Sequence, residues 1–252
     1  QEKTLGGANY FCDFKDDFSH YRRVYFLREK SEVKDKLRDY LSFAKTSTNN
    51  CVKAIVTDGG KEYDNKDVKA ILADAGIDHH TSAPYTHEQN GVAERENRFI
   101  VETARSMLHA KDLPIKLWAE AVNTAEYILN RTGPSPIEGK TPYELWYGKP
   151  AKVDHLRVFG TNCFVHIPKE KRRKWDRKSE KGVLIGYANE MSSYRVWLPS
   201  RDEVVVSHDV TFQGENVCDS QPVAAEVDSV PDGVTVPAAV DETVYVNREE
   251  QP

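Results

Sequence analysis

Two carboxylates stand out by type and by setting. Asp58 follows the short apolar run Ala54-Ile55-Val56-Thr57 and precedes Gly59-Gly60. That pattern reads as a buried strand stopped by glycines, with the acid at its end. Glu94 lies in Asn90-Gly91-Val92-Ala93-Glu94-Arg95-Glu96-Asn97-Arg98, which reads as the first turns of a long helix, and 35 residues separate the two acids. A strand end and a helix hold side chains more firmly than loops do. Asp and Glu supply the oxygen ligands that hard divalent cations prefer. Two such cations can stabilise the attacking and leaving oxygens of an in-line displacement at phosphorus. Each acid also has an ordinary explanation. Asp-Gly after a strand is common turn chemistry, and a first-turn Glu suits the helix dipole.

The combination is more specific than either acid. Asp58-Gly59-Gly60-Lys61-Glu62-Tyr63, Ser82-Ala83-Pro84-Tyr85-Thr86 and Gln89-Asn90-Gly91-Val92-Ala93-Glu94-Arg95 occur in that order. Together they resemble the integrase core of Ty1/copia retrotransposon Pol polyproteins, a D,D(35)E polynucleotidyl transferase with a ribonuclease H-like fold. The likeness extends through Asn9-Tyr10-Phe11, Asp16-Asp17-Phe18-Ser19, Trp118-Ala119-Glu120-Ala121, Leu129-Asn130-Arg131 and Lys140-Thr141-Pro142-Tyr143-Glu144. It continues past the core as Leu156-Arg157-Val158-Phe159-Gly160 and Ile185-Gly186-Tyr187, covering nearly everything from Gly6 to Phe212.

The resemblance implies a function. Asp58 and Glu94 would be catalytic metal ligands for Mg2+ or Mn2+, with Asn90, Arg95, Asn97 and Arg98 near DNA. For Arg95 and Arg98 a solvated helix, with Glu96 and Glu102 as ion-pair partners, explains the sequence equally. Family members carry their first catalytic Asp on an earlier strand, in a D-x-x-G-P-like segment; that strand would lie upstream of Gln1. Asp16 and Asp17 are read as turn acids. The start, without Met, looks like that of a fragment or a processed piece.

Composition sets bounds. The 252 residues suffice for one large or two small domains, and hydrophobic content is 39%. No run of about 18 apolar residues occurs, so no membrane span is expected. Cys12, Cys51, Cys163 and Cys218 are scattered without a C-x-x-C pair, which argues against a zinc site or disulfide framework and fits an intracellular setting. The net charge of −5 is unevenly spread: from Gln213 onward there are nine acids and one base, leaving 31 acids and 34 bases before it. The folded part is therefore mildly basic, as DNA binding requires.

In chain order, Tyr10–Phe14 and Arg23–Leu27 form a hairpin of aromatic and β-branched residues around an Asp-Asp-Phe-Ser-His turn. Ser31 is a candidate cap for a helix lined by Val33, Leu37, Leu41 and Ala44. Residues 51–57 form the central strand, 67–75 an amphipathic helix, 77–81 a short strand, and 82–89 a loop. A helix over about 90–111 follows. Pro114 starts the next, with Trp118 expected in the core. His79, His80 and His87 lack the acid or cysteine that would complete a ligand set, and surface positions are expected. Gly148-Lys149-Pro150 marks a boundary. Strands are expected at 158–159, 163–166, 182–187, 195–198 and 203–207, suggesting a small β-barrel; the resemblance implies an SH3-like module there.

Between two of those strands, Lys169 to Lys181 holds eight bases and three acids, with Trp175 among them. Lys171, Arg172, Arg173 and Lys174 are candidate phosphate contacts; a solvated charge run accounts for the same composition.

The expectation is thus an α/β chain in three parts. Residues 1–147 are an N-terminally truncated ribonuclease H-like core (a mixed sheet flanked by helices, first strand missing). Residues 148–212 are a small SH3-like β-barrel, and 213–252 a disordered acidic tail linking to the next polyprotein unit. The implied function is metal-dependent DNA 3′-end processing and strand transfer; the alternative is a catalytically dead relic that binds nucleic acid. Expected partners are DNA (element ends and target) and further copies of the chain, with no membrane and no small-molecule substrate. The expected location is nuclear during integration and otherwise a cytoplasmic particle.

Overall fold

A computed structural model describes residues 3–57, 65–81, 87–188, 193–213 and 243–248, without the side chains of 87–96, 171, 243, 247 and 248. Strands β1 (Tyr10–Asp16) and β2 (Arg22–Leu27) form the expected antiparallel hairpin. The turn between them is closed by Asp16, whose carboxylate accepts from the Ser19 backbone N–H at 2.8 Å and from its hydroxyl. Helix α1 (Val33–Thr48) buries Val33, Leu37, Tyr40 and Ala44. Ser31 does not cap it. A 3₁₀ turn over Lys30–Glu32 leads in, and Ser31 donates instead to the Glu29 carboxylate.

Strand β3 (Val52–Thr57) is the predicted central strand. Helix α2 (Lys66–Asp74) starts at Asn65, whose side chain accepts from the Val68 N–H at 2.9 Å. Strand β4 (Asp78–Thr81) pairs in parallel with β3. The long helix α3 (His87–His109) starts three residues earlier than expected. Helix α4 (Trp118–Thr132) follows a 3₁₀ turn beginning after Pro114. Helix α5 (Pro142–Tyr147) opens with a capping box: Thr141 accepts from the Glu144 N–H, and Glu144 accepts from the Thr141 N–H.

The second sheet is antiparallel, built from β5 (Asn162–His166), β6 (Ser179–Ala188), β7 (Ser193–Leu198), β8 (Glu203–Ser207) and β9 (Val210–Phe212), in the order β8-β7-β6-β5-β9. Two expectations shift. Residues 158–159 lie in a turn rather than a strand, and β9 was not anticipated.

The acidic tail also departs from expectation over six residues. Thr243–Arg248 forms β10, which lies in the middle of the first sheet, in the order β2-β1-β10-β3-β4. It runs parallel to β1 and antiparallel to β3. The reason is local. Val244 and Val246 alternate with Tyr245, and both valines are fully buried in the cluster of Cys12, Phe14, Leu37, Tyr40 and Ile55. An overall acidic composition does not prevent a short apolar alternation from completing a sheet. The rest of the tail lies outside the described residues.

The first sheet is covered on both faces. Helices α1, α2 and α5 close one, where Phe14 stacks on Tyr40 at 4.7 Å between ring centres and Tyr21 on Trp146 at the same distance. Helices α3 and α4 close the other. Phe11, Val24, Ile100, Ala104, Leu117 and a fully buried Trp118 pack there, and the same cluster takes in Phe159, Ile185 and Trp197 from the second unit. The two units therefore share apolar core. Polar contacts reinforce the joint. Arg195 donates twice to Glu120, at 2.6 and 2.7 Å. The Thr124 hydroxyl donates to the Ile185 carbonyl at 2.9 Å, and Lys116 pairs with Asp202. Glycine is required where the elements touch. At Gly186 a Cβ would stand 2.9 Å from the Thr124 hydroxyl oxygen.

Candidate active site

Strand β3 ends at Thr57, so Asp58 comes directly after it; Asp58 itself lies outside the described residues. Glu94 belongs to the backbone of α3, one turn before Asn97, and its side chain is outside the description, as are those of Asn90 and Arg95. Helix α3 packs against β10 and α4, which fixes its axis over the sheet. Farther along it, Asn97 is buried at 6% exposure, whereas Arg98 is exposed. Among the described residues no three His, Cys, Asp or Glu side chains gather into a cation site. His79 meets the Thr57 hydroxyl at 3.1 Å and His80 is exposed. His87 has no described side chain.

The hairpin acids are engaged elsewhere. Asp13 is fully buried, 3.5 Å from the Arg22 guanidinium. Asp16 closes its own turn through Ser19. A polar knot beside them escaped the sequence reading. Asn130 on α4 brackets the Arg22 backbone, accepting from its N–H at 2.9 Å and donating to its carbonyl at 2.8 Å. Glu126, one turn earlier, lies 3.8 Å from Arg23. Burial pushes the Glu126 carboxyl up to about 7, and Asp13 adds to the rise against the pull of Arg23. Polar side chains at helical spacing on an otherwise apolar helix were the available signal: Glu126 and Asn130 are four apart, facing β2. Their described contacts pin α4 to the hairpin.

The basic connection runs between β5 and β6. Arg172 is half-buried and donates to the Ile167 carbonyl at 3.2 Å. Arg173, Lys174, Arg177 and Lys178 are exposed, and Asp176 closes the loop by accepting from the Arg173 N–H at 2.7 Å. Trp175 is 90% exposed, with the Lys174 ammonium 5.8 Å from its ring centre. The side chain of Lys171 is outside the description.

Residues 2–87 match the integrase core domain family, and residues 161–225 the retroviral polymerase SH3-like domain family. A retrovirus-related Pol polyprotein from transposon TNT 1-94 of Nicotiana tabacum is 37% identical over 238 residues, 94% of this chain. The chain belongs to the integrase region of retrotransposon Pol polyproteins. Related polyproteins from transposons RE2 and RE1 of Arabidopsis thaliana are 31% and 30% identical over 76% and 81% of the chain. The chain spans only 18%, 13% and 14% of these three relatives. Among solved structures, a simian T-cell lymphotropic virus intasome chain aligns at 16% identity and a TM-score of 0.44, covering 81% of this chain and 77% of that one. The two family matches agree with the expected order of an integrase core followed by an SH3-like unit.

Proposed function

We propose that this integrase unit performs 3′-end processing and strand transfer on DNA, with Asp58 and Glu94 as two of its three catalytic carboxylates. The observation that supports this reading is the framework: Asp58 follows a strand paired on both edges, and Glu94 belongs to a 23-residue helix packed on the same sheet. Carboxylate oxygens at those positions are the donor type that Mg2+ or Mn2+ takes. When bound, the cation supplies charge neutralisation and an activated oxygen nucleophile. The chain's own residues then do two things. Asp58 and Glu94 would hold the cation against the reacting phosphate, and Arg98, Arg173 and Lys174 would draw in backbone phosphates.

Of the hairpin acids, Asp13 and Asp16 are committed to Arg22 and Ser19, and Asp17 stands exposed in the turn, where it is read as a solvated acid. Residues 1–252 are therefore expected to give no strand transfer in magnesium. A chain extended upstream by the strand carrying the first Asp is expected to join DNA ends. In that chain, Asp58→Asn and Glu94→Gln should each abolish joining and leave duplex affinity intact. Joining that survives either substitution would overturn the assignment. A second reading, a module that binds DNA without chemistry, is favoured by β10, which brings no carboxylate into the sheet. It predicts no joining even from the extended chain.

Duplex binding should follow the basic connection. Neutralising Arg172, Arg173 and Lys174 together should flatten the dependence of log affinity on log salt by up to about 0.9 per lost phosphate contact. The location proposed for this activity is the nucleus during integration, with a cytoplasmic particle before it, and assembly as a multimer.

A further inference from the structure

The basic connection between β5 and β6 is held in shape largely by its own backbone. The Ile167 N–H donates to the Lys178 carbonyl at 2.9 Å, which closes the base. The Arg172 N–H donates to the Lys169 carbonyl at 3.3 Å, and the Arg172 side chain reaches back to the Ile167 carbonyl. The tip, Arg173 to Asp176, is closed twice. The Asp176 N–H donates to the Arg173 carbonyl at 3.1 Å, and the Asp176 carboxylate accepts from the Arg173 N–H at 2.7 Å. Lys174 and Trp175 take the two middle positions of that turn.

Trp175 is unlike the other tryptophans. Trp118, Trp146 and Trp197 are 0%, 3% and 9% exposed, and the last two donate their indole N–H to Ser47 and Asp202. Trp175 is 90% exposed, and its indole N–H has no partner among the described residues. The other exposed large apolar side chains, such as Phe18, Phe99 and Val206, lie outside the connection. Around the ring, Arg173, Lys174, Arg177 and Lys178 are exposed and pair with no acid among the described residues. Nearby acids are engaged in the fold: Asp176 in the turn, and Glu180 with Ser200 and Arg201. A lone ring gives little to a protein partner or a bilayer, each of which takes a cluster of apolar groups. An aromatic face among cations suits single-stranded nucleic acid, because a base stacks on the ring while the cations track the backbone. Inside a duplex the bases are already stacked on one another and offer no face.

We propose that Trp175 is a stacking platform for an unpaired nucleobase, with Arg173 and Lys174 on the flanking phosphates, so that a single strand gains a contact here that a duplex does not. The inference deepens the DNA reading proposed above and rests on it. Trimming a 3′ end leaves unpaired bases on the opposite strand, and such an end is the substrate the platform takes. The ring supplies a face and the basic side chains supply charge. The two contributions are separable, because phosphate contacts release counterions and a stacked ring releases none.

The ring is its own probe. With the other three tryptophans buried, the long-wavelength edge of the emission belongs to Trp175 and should vanish in Trp175→Ala. In residues 1–252, an oligothymidylate of about twelve nucleotides should quench that edge, and a duplex of matched phosphate number should not. Trp175→Ala should weaken oligothymidylate binding about 5- to 150-fold at fixed salt, and Trp175→Phe should keep most of the affinity. Neither should change duplex affinity or the slope of log affinity on log salt, whereas neutralising Arg173 and Lys174 together should flatten that slope. Oligouridylate run in parallel separates the sources: quenching by both supports a platform for any unpaired base, and quenching by thymidylate alone supports one for DNA. Equal quenching by duplex and single strand, unchanged oligothymidylate affinity in Trp175→Ala, or an altered salt slope in that variant would overturn the proposal. So would a blue shift on vesicles of phosphatidylserine and phosphatidylcholine without quenching by oligonucleotide, which would give the ring to a bilayer. Salt-dependent duplex binding with no effect of Trp175→Ala would count against the platform alone. Absence of binding to any nucleic acid would count against the DNA reading as well.

Discussion

Among the described residues the two sheets have five strands each and differ in how they are assembled. In the second, four short connections carry the chain through all five strands, and β9 comes directly after β8 to close on β5. Its cluster of Cys163, Leu184, Tyr187, Tyr194 and Val196 is drawn mostly from those strands. The first sheet gathers strands from residue 10 to residue 248, and its middle position is filled from the far end of the chain. Local pairing closes with little loop entropy, whereas long-range pairing carries that cost before any contact forms. The second sheet should therefore hold together by itself, and the first should depend on what fills its centre and on the helices that cover it.

The largest effect should come from the residue that joins the two. Trp118 is fully buried in the cluster that spans both units. Trp118→Ala should lower stability by about 3–5 kcal/mol. In urea it should split unfolding into two transitions, the first sheet melting before the second. A single transition that merely shifts would mean that the two sheets do not differ in independence.

Next is the polar half of the joint. Arg195 and Glu120 make a bidentate pair that is largely shielded, at 31% and 18% side-chain exposure. Glu120→Gln should cost about 1–2 kcal/mol. Protection should fall at Arg195 and its β6 partners more than in β8, as hydrogen exchange would report. Uniform loss across the second sheet would remove the joint from the explanation.

The smallest effect should be a slope, confined to the first unit. Glu126 has its carboxyl raised from 4.5 to about 7 by burial. The folded state therefore holds a proton that the unfolded state releases earlier. The stability this contributes is full below about 4.5 and is lost as pH rises through about 7. Denaturation midpoints should fall over that window, and Glu126→Gln should flatten the fall. An unchanged slope would show that Glu126 does not set the pH response of the first sheet.

Much of this was legible in the residues. The hairpin declared itself through aromatic and β-branched runs around a turn, and Trp118 through the apolar spacing of its helix. The strand–helix framework for Asp58 and Glu94 was legible because glycines stop a strand cleanly and the long helix keeps its period. What escaped was non-local or very short. Strand β9 has three residues, too few to show alternation. Ser31 looked like a cap, but a preceding 3₁₀ turn moved the helix start past it. In the tail, Val244-Tyr245-Val246 alternates as a strand should, yet acids on either side dominate its composition. No spacing rule says that residues 243–248 belong beside residues 13–16. The knot of Asp13, Arg22 and Asn130 was hidden for the same reason, since Arg22 and Asn130 lie 108 positions apart.

The glycine under Thr124 carries one more implication. With no side chain at Gly186, α4 lies directly on β6, and the hydroxyl-to-carbonyl bond, the Arg195–Glu120 pair and the shared apolar cluster all resist the same bending motion. The segment between α5 and β5 looks like a swivel in the chain, but it spans a splinted joint. Torque applied at the basic loop would pass into α4 and on to the hairpin rather than dissipate in a linker. The strand that follows the basic connection is thereby tied through α4 to the helix that carries Glu94.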